Sequence, residues 1–423
     1  MLSVRSVPWW LVVTIAALAR SSAPAEEGAA PWQDRRLCTL NEGETPCYET
    51  LGADGRFFAF SLQVGGGRVR LGLNDERTEP VHTDNLMVQL TTDGRLVYVT
   101  RDGSRERVHI GEWQSEAWDF ISDPVLSPDG LKVAFVAETG GSKTLFVGPD
   151  PVAQGFDWIA APTFDRSGRL AFSAARGKEY FVVVEGKEGP AFVDVRAAVF
   201  SPDGTRVAYQ ALEGKNRWVV VGDERYDTEV GTKLPFFSPD GRHVAWKVEQ
   251  EGKQLYYVDG EKGPESPYAD CAEFSPDGTR FAHHATSGDG LCIVVDGVVL
   301  KTDFADCGRP FFAPDGRLGY LAHGVAEEDS EGMGGYDVNH LILDGKVLHT
   351  SEGFGAVVFG PDGDTIAFEM MEADGWRIRV GEQEHGPFEK VWGMRFSPDG
   401  EYVGFGALKD REVWWRVVRT DSD

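Results

Sequence analysis

The stretch AAVFSPDGTRVAYQALEGKNRWVVVGDERYD, residues 197–227, decides the fold. Ala197–Phe200 is a short apolar run, and Ser201-Pro202-Asp203-Gly204 closes it with a turn. Proline presets φ for the second turn position, aspartate suits the third, and glycine accepts a positive φ. Thr205–Ala211 then reads as a strand of alternating character, Gly214–Asn216 as a polar turn, and Trp218–Val221 as a second β-branched run. Gly222–Arg225 turns again, and Tyr226-Asp227 is expected to lead into the next unit.

Working outward, the block Phe-Ser-Pro-Asp-Gly recurs at Phe237–Gly241, Phe274–Gly278 and Phe396–Gly400. Near copies stand at Leu126–Gly130, Phe312–Gly316 and Phe359–Gly363, and degenerate ones at Leu51–Gly55, Leu90–Gly94 and Phe164–Gly168. Successive glycines are 39, 36, 38, 36, 37, 37, 38, 47 and 37 residues apart. A sustained period near 37 marks a repeat architecture. Elsewhere the later turn is Asp-Gly, as at Asp259-Gly260, Asp296-Gly297 and Asp344-Gly345, the strongest short hairpin signal between β-branched runs. Each unit is therefore three hairpin-linked strands and a short fourth, the size of one propeller blade. Such a sheet cannot bury both faces alone, so the units must stack. The expectation is an all-β propeller of ten repeat units in one ring. Eight or nine blades after an irregular start, or two smaller rings, are the alternatives, and the even spacing leaves no linker for a split. The last unit, Met394–Asp423, ends after its third strand, so a strand near Arg35–Leu40 could complete it.

The pattern FSPDG-x-R-[V/F]-A-[Y/W/H], followed by an apolar run and a turn, resembles the TolB-type, WD-like repeat of bacterial propellers over roughly residues 45–423. The segments FVVVEGKEGP (181–190) and YVDGEKGP (257–264) look like those of secreted bacterial members. The resemblance is specific for fold and weak for activity. TolB-like proteins carry an α/β domain before the propeller. Here about 20 residues stand between the signal sequence and the first unit, so a role in the Tol system is not carried over.

The remaining composition bounds the compartment and the partners. Glycine (51) and proline (22) make about 17% of the 423 residues, which suits many turns. A net charge of -26 repels phosphate backbones and anionic lipid, so nucleic acid is not an expected partner. Arg5, the apolar run Pro8–Ala19 and Ala23-Pro24-Ala25 read as a secretory signal peptide over residues 1–25. Twelve apolar residues span only about 18 Å as a helix, short of a ~30 Å hydrocarbon core. The expected layout is signal peptide 1–25, N-terminal segment 26–44 and propeller 45–423, secreted or periplasmic, with no membrane span after cleavage. Its mature charge is -28, because the leader carries two arginines and no acid. Five cysteines suit an oxidising compartment. Cys38 with Cys47 and Cys271 with Cys307 are the candidate disulfides, Cys292 being left over or replacing one of the second pair; three buried free thiols are the alternative. Closing the Cys271–Cys307 loop would stabilise by on the order of 4 kcal/mol.

One face of the ring gathers recurring aromatic–acid pairs: Trp118-Asp119, Phe156-Asp157, Phe192 with Asp194, Tyr226-Asp227, Tyr268 with Asp270, and Phe304 with Asp306. Facing the channel, these acids would form a negative rim for a cation, a basic peptide or a sugar. The alternative is that each Asp caps a turn and each aromatic packs between blades. The 47-residue interval contains Gly324–Tyr336, whose Glu327, Glu328, Asp329 and Glu331 form a candidate binding loop on the same face. No cofactor is expected beyond a loosely held Ca²⁺. There is no G-x-S-x-G, H-E-x-x-H or C-x-x-C motif, and His283-His284 on one strand would point to opposite faces. The expected function is a non-catalytic scaffold for a protein, peptide or other ligand. The alternative is a metal-assisted hydrolase or lyase acting on carbohydrate or lactone.

Overall fold

A computed structural model describes residues 34–51, 58–66, 68–73, 76–77, 81–82, 88–229, 231–287, 290–302, 304, 306–325 and 337–421. The leader 1–25 and the binding-loop residues Glu327, Glu328, Asp329 and Glu331 lie outside these. Among the described residues there is no helix. The chain forms ten sheets, each a blade of one ring, numbered here in chain order. In blade 5 the inner strand comes in two pieces, Asp194–Val195 and Val199–Phe200. The second strand is Val207–Glu213, the third Asn216–Val221 and the outer Glu224–Thr228, every neighbour antiparallel. Tyr226 and Asp227 thus belong to the outer strand of blade 5, opposite Val219 and Trp218, and not to the entry of blade 6. The outer strands of blades 4, 6 and 7 are two residues long, and the longer one here carries the pair away from the axis.

Second strands lie between two neighbouring blades and read as almost continuous apolar runs. Val133–Thr139 is buried over its first five residues, and its alternate side chains join separate clusters on the two flanks. Alanines such as Ala134, Ala174, Ala208 and Ala245 are fully buried on these strands, where small side chains let adjacent sheets approach. Trp246 of blade 6 is fully buried against Ala208 and Val219 of blade 5 and stacks on Tyr257 at 5.3 Å. The outer strand of blade 10 is Arg35–Thr39, paired with Glu412–Arg419. Leu37 and Leu40 then pack with Phe60 and Leu62 of blade 1. The first and last units are thereby joined without an open sheet edge between them.

The Ser-Pro-Asp-Gly turns have one construction. In blade 5, Ser201 Oγ donates to Asp203 (2.5 Å) and accepts from the Arg206 amide (2.9 Å), while Gly204, at φ 71°, donates its amide to the Ser201 carbonyl (2.8 Å). Asp203 also accepts from the Thr205 amide at 3.0 Å. These bonds stabilise the carboxylate, led by the one from Ser201, and hold its pKa down to about 2. The repeated arginine reaches into the next blade. Arg206 lies over the Phe237 ring at 5.1 Å and donates to the carbonyls of Gly241 and, at 2.9 Å, Arg242. Arg169 does the same with Phe200 and Gly204, and Arg280 with Phe312 and Gly316. The Phe and Arg of the motif are thus two halves of a blade-to-blade clasp.

The paired cysteines are not bridged: Cys38, Cys271, Cys292 and Cys307 are free thiols, so neither expected staple is formed. The reason for the second is register. Cys271 stands seven residues before its turn glycine and Cys307 nine before its own. Cys271 consequently occupies the inner-strand bulge at φ 51°, whereas Cys307 is buried in the blade 7–8 core. Cys38 is buried in the closing interface, and burial pushes its thiol up to about 11.

Candidate functional site

Measured from the turn glycine, the expected rim acids occupy four different places. Asp119 and Asp157 precede it by eleven residues, Asp194 and Asp306 by ten, Asp270 by eight and Asp227 by fourteen. Asp119 accepts from the Gly140 amide at 2.9 Å and pairs with Arg105; the amide bond, then the guanidinium, hold its carboxyl below the usual range. Asp157 accepts from the Gly177 amide at 2.6 Å. Both therefore tie down the hairpin between the second and third strands of their own blades. Asp306 accepts from the Leu291 amide of blade 7 at 2.8 Å, and Asp270 pairs with Lys247 of blade 6 at 3.7 Å. The aromatic partners pack between blades: Phe156 with Phe172 and Phe181, Phe192 with Tyr209, and Phe304 against the blade 7–8 core. Among the described residues no group of three or more His, Cys, Asp or Glu is placed to hold a metal ion.

Asp194 is different. It lines a cavity of about 330 Å³ between blades 5 and 6, together with Arg196, Gln210, Arg217, Thr232 and Lys233. The chain entering blade 6 forms one wall of the cavity. The inner strand of blade 6 pairs only at Phe236–Phe237. Before it, Gly231, at φ 87°, presses its backbone onto blade 6, where a Cβ would stand 1.9 Å from the Glu249 carbonyl oxygen. No other residue fits there without moving the chain. Lys233 is anchored by its amide on the Lys247 carbonyl at 2.7 Å. Thr232 bonds Thr228 at 2.9 Å, and Thr228 in turn accepts from Trp246 Nε1 at 3.2 Å, so the wall is braced on the blade 5–6 core.

The lining is rich in donors. Arg196 sits at the inner-strand break, its amide on the Gln210 carbonyl at 2.9 Å and its own carbonyl bonded by Ser173 Oγ of blade 4 at 3.0 Å. Its backbone is thus held while its side chain is exposed. Gln210 points to the blade 6 side, two residues beyond Ala208, and its Nε2 is buried without a partner. Sequence reasoning found Asp194 and missed the cations. The signal was in the repeat frame: eight residues before the turn glycine, Arg196 and Lys233 are the only two basic residues among ten repeats, the others carrying Cys, Leu, Ser, Ala, Asp, Gly, Gly and Trp.

On the inner strand of blade 7, Glu273 is a further carboxyl that the reading of motifs missed. Burial pushes it up to about 7, and Arg309 of blade 8 pulls the other way. His283 and His284 do point to opposite flanks, His283 towards Tyr256 of blade 6 and His284 towards the Cys307 backbone of blade 8.

No protein-family model matches the chain, and no curated protein matches it. Solved structures do. The Dos1 propeller is 10% identical, covers 91% of this chain and 94% of its own, and has a TM-score of 0.40. The propeller domain of the Trilobed protease from Pyrococcus furiosus is 12% identical over 63% of this chain and 96% of its own, with a TM-score of 0.31. Hydrazine synthase from Kuenenia stuttgartiensis is 15% identical over 71% and 95%, with a TM-score of 0.29. These likenesses assign no activity to the chain.

Proposed function

We propose that this chain is an exported, non-catalytic binding propeller of TolB-type repeats, whose working surface is the face carrying the second-to-third-strand hairpins. One observation carries the reading: the interface of blades 5 and 6, apolar around Trp246, ends on this face in a polar, donor-rich recess. Recesses of roughly 300–1,000 Å³ with a few convergent polar groups suit ligand capture. The partner in this reading is a small molecule or a peptide group that enters the recess. A thermal unfolding panel of sugars, organic acids and short peptides, with product analysis after incubation, tests it. A ligand at 100 times its Kd raises stability by about 2.7 kcal/mol. A shift with the compound recovered intact supports the scaffold; conversion of the compound overturns it. The same scan in EDTA and then Ca²⁺ tests the acidic loop 327–331, where a rise in midpoint with Ca²⁺ marks a metal site.

The enzymatic alternative has one observation in its favour. A carboxyl that burial pushes up to about 7, as at Glu273, suits general acid–base work on a carbohydrate or lactone. Turnover that disappears in Glu273→Gln would establish it.

A further inference from the structure

We infer that the blade 5–6 cavity binds a carboxylate-bearing small molecule with hydroxyl groups, of the size of a sugar acid; this rests on the cavity being the ligand seat proposed above. The chain as a whole carries 68 acidic and 42 basic residues, yet this recess gathers Arg196 and Arg217 with Asp194 as the one lining acid. Arg196 and Arg217 make no ion pair among the described residues, and Lys233 has only Glu249 at 3.8 Å. A surface this acidic offers many carboxylates to a free cation, so the two arginines are held apart from them by position. Gln210 Nε2 adds a buried donor that lacks an acceptor on the same flank. Leaving such a donor unmatched is costly, and a ligand oxygen reached by a small side-chain adjustment would satisfy it. Lys233 stands at the same frame position as Arg196 one repeat on, and its ammonium turns to Glu249 of blade 6. Guanidinium and ammonium groups favour a carboxylate, the guanidinium in a two-pronged fashion. Asp194 is the one lining acid and would accept from a hydroxyl rather than meet the carboxylate.

The experiment is calorimetric titration of the purified protein with glucuronate and with glucose, which differ by the carboxylate. Glucuronate is expected to bind at millimolar concentration or below, and glucose at least tenfold more weakly. Arg196→Gln and Arg217→Gln should each weaken glucuronate about tenfold, with unchanged melting temperatures that show the ring intact. Added salt should weaken it as well. Arg166→Gln, the same charge change at an exposed turn on the opposite face, should leave it unaltered. Equal binding of both sugars, unaltered by the two variants, overturns the carboxylate inference and leaves the binding scaffold standing. Silence from both sugars also overturns it, while other compounds in the thermal panel still report on the scaffold. Conversion of glucuronate with the variant pattern intact overturns the non-catalytic reading and keeps the carboxylate seat. Binding only of an acidic peptide, with the same variant pattern, overturns the small-molecule assignment.

Discussion

The two faces of the ring are built on opposite rules. On one, the Ser-Pro-Asp-Gly turns of successive blades repeat one another bond for bond and lean on their neighbours. On the other, entry points differ from blade to blade: Asp119 and Asp157 cap hairpins, Asp306 and Asp270 bond the preceding blade, and Asp194 faces a cavity. Two glycines from each face differ in this way. At the first face a Cβ on Gly278 would stand 2.4 Å from Asp240 Oδ1, and one on Gly204 2.7 Å from Asp165 Oδ2. At hairpin tips of the second face, Gly140 and Gly177 have nothing within 4 Å. Uniformity belongs to the face whose turns clasp the blades together, and departures from the repeat collect on the other.

Four measurements would break or sharpen that contrast. The largest difference is expected between Gly278→Ala and Gly177→Ala. Both impose a positive φ on alanine, but only the first also collides, so denaturant titration should show about 2–3 kcal/mol lost against about 1 kcal/mol. Equal losses would mean that the first face is no tighter than the second. Next comes a pair of arginines. Arg206→Ala removes a ring contact and hydrogen bonds to blade 6 and should cost about 1–2 kcal/mol. Arg196→Ala, whose guanidinium lines the cavity, should stay within about 0.5 kcal/mol. The reverse order would make Arg196 a structural residue.

A smaller effect is expected with pH. The carboxyl of Asp203 lies at about 2 in the folded chain against its ordinary 3.8, so it binds its proton less readily folded than unfolded. Its stabilising contribution is present above about pH 4 and is lost as pH falls through 2. The gap in melting temperature between the native chain and Asp203→Asn should therefore close between pH 4 and pH 2; a gap constant over that range contradicts the turn chemistry. Smallest is Asp157→Ala, which frees the Gly177 amide on an exposed hairpin. It should cost about 0.5–1 kcal/mol, seen chiefly as faster amide exchange at Gly177 and its neighbours. Protection unchanged there would show that the cap does not hold the tip.

Much of the architecture is legible in a single repeat because its determinants are local. Pro202, Asp203 and Gly204 specify a turn by their own torsional preferences, and Asp259-Gly260 adopts positive φ at both positions (49° and 84°), as a tight hairpin requires. Ten copies of such a unit call for stacked blades before any contact is known, and the structure closes them into one ring. The candidate site was only partly legible. Six acids beside aromatics looked alike in sequence, yet one or two residues of offset from the turn, or an outer strand lengthened as in blade 5, sends them to unrelated partners. Side-chain direction alternates along a strand, so small offsets change what is faced. The same offset separates Cys271 from Cys307.

The sequence by itself determined the blade and the period, since each follows from chain neighbours or from a rule repeated every 37 residues or so; the clasp made by the motif's Phe and Arg and the single ring came from the contacts between blades. Tertiary structure alone decided the cavity. A recess between blades depends on where the segment before Phe236 lies against blade 5, and on the alternation that turns Gln210 of blade 5 to that flank. That is a property of two sheets packed together, and neither sheet's sequence carries it alone.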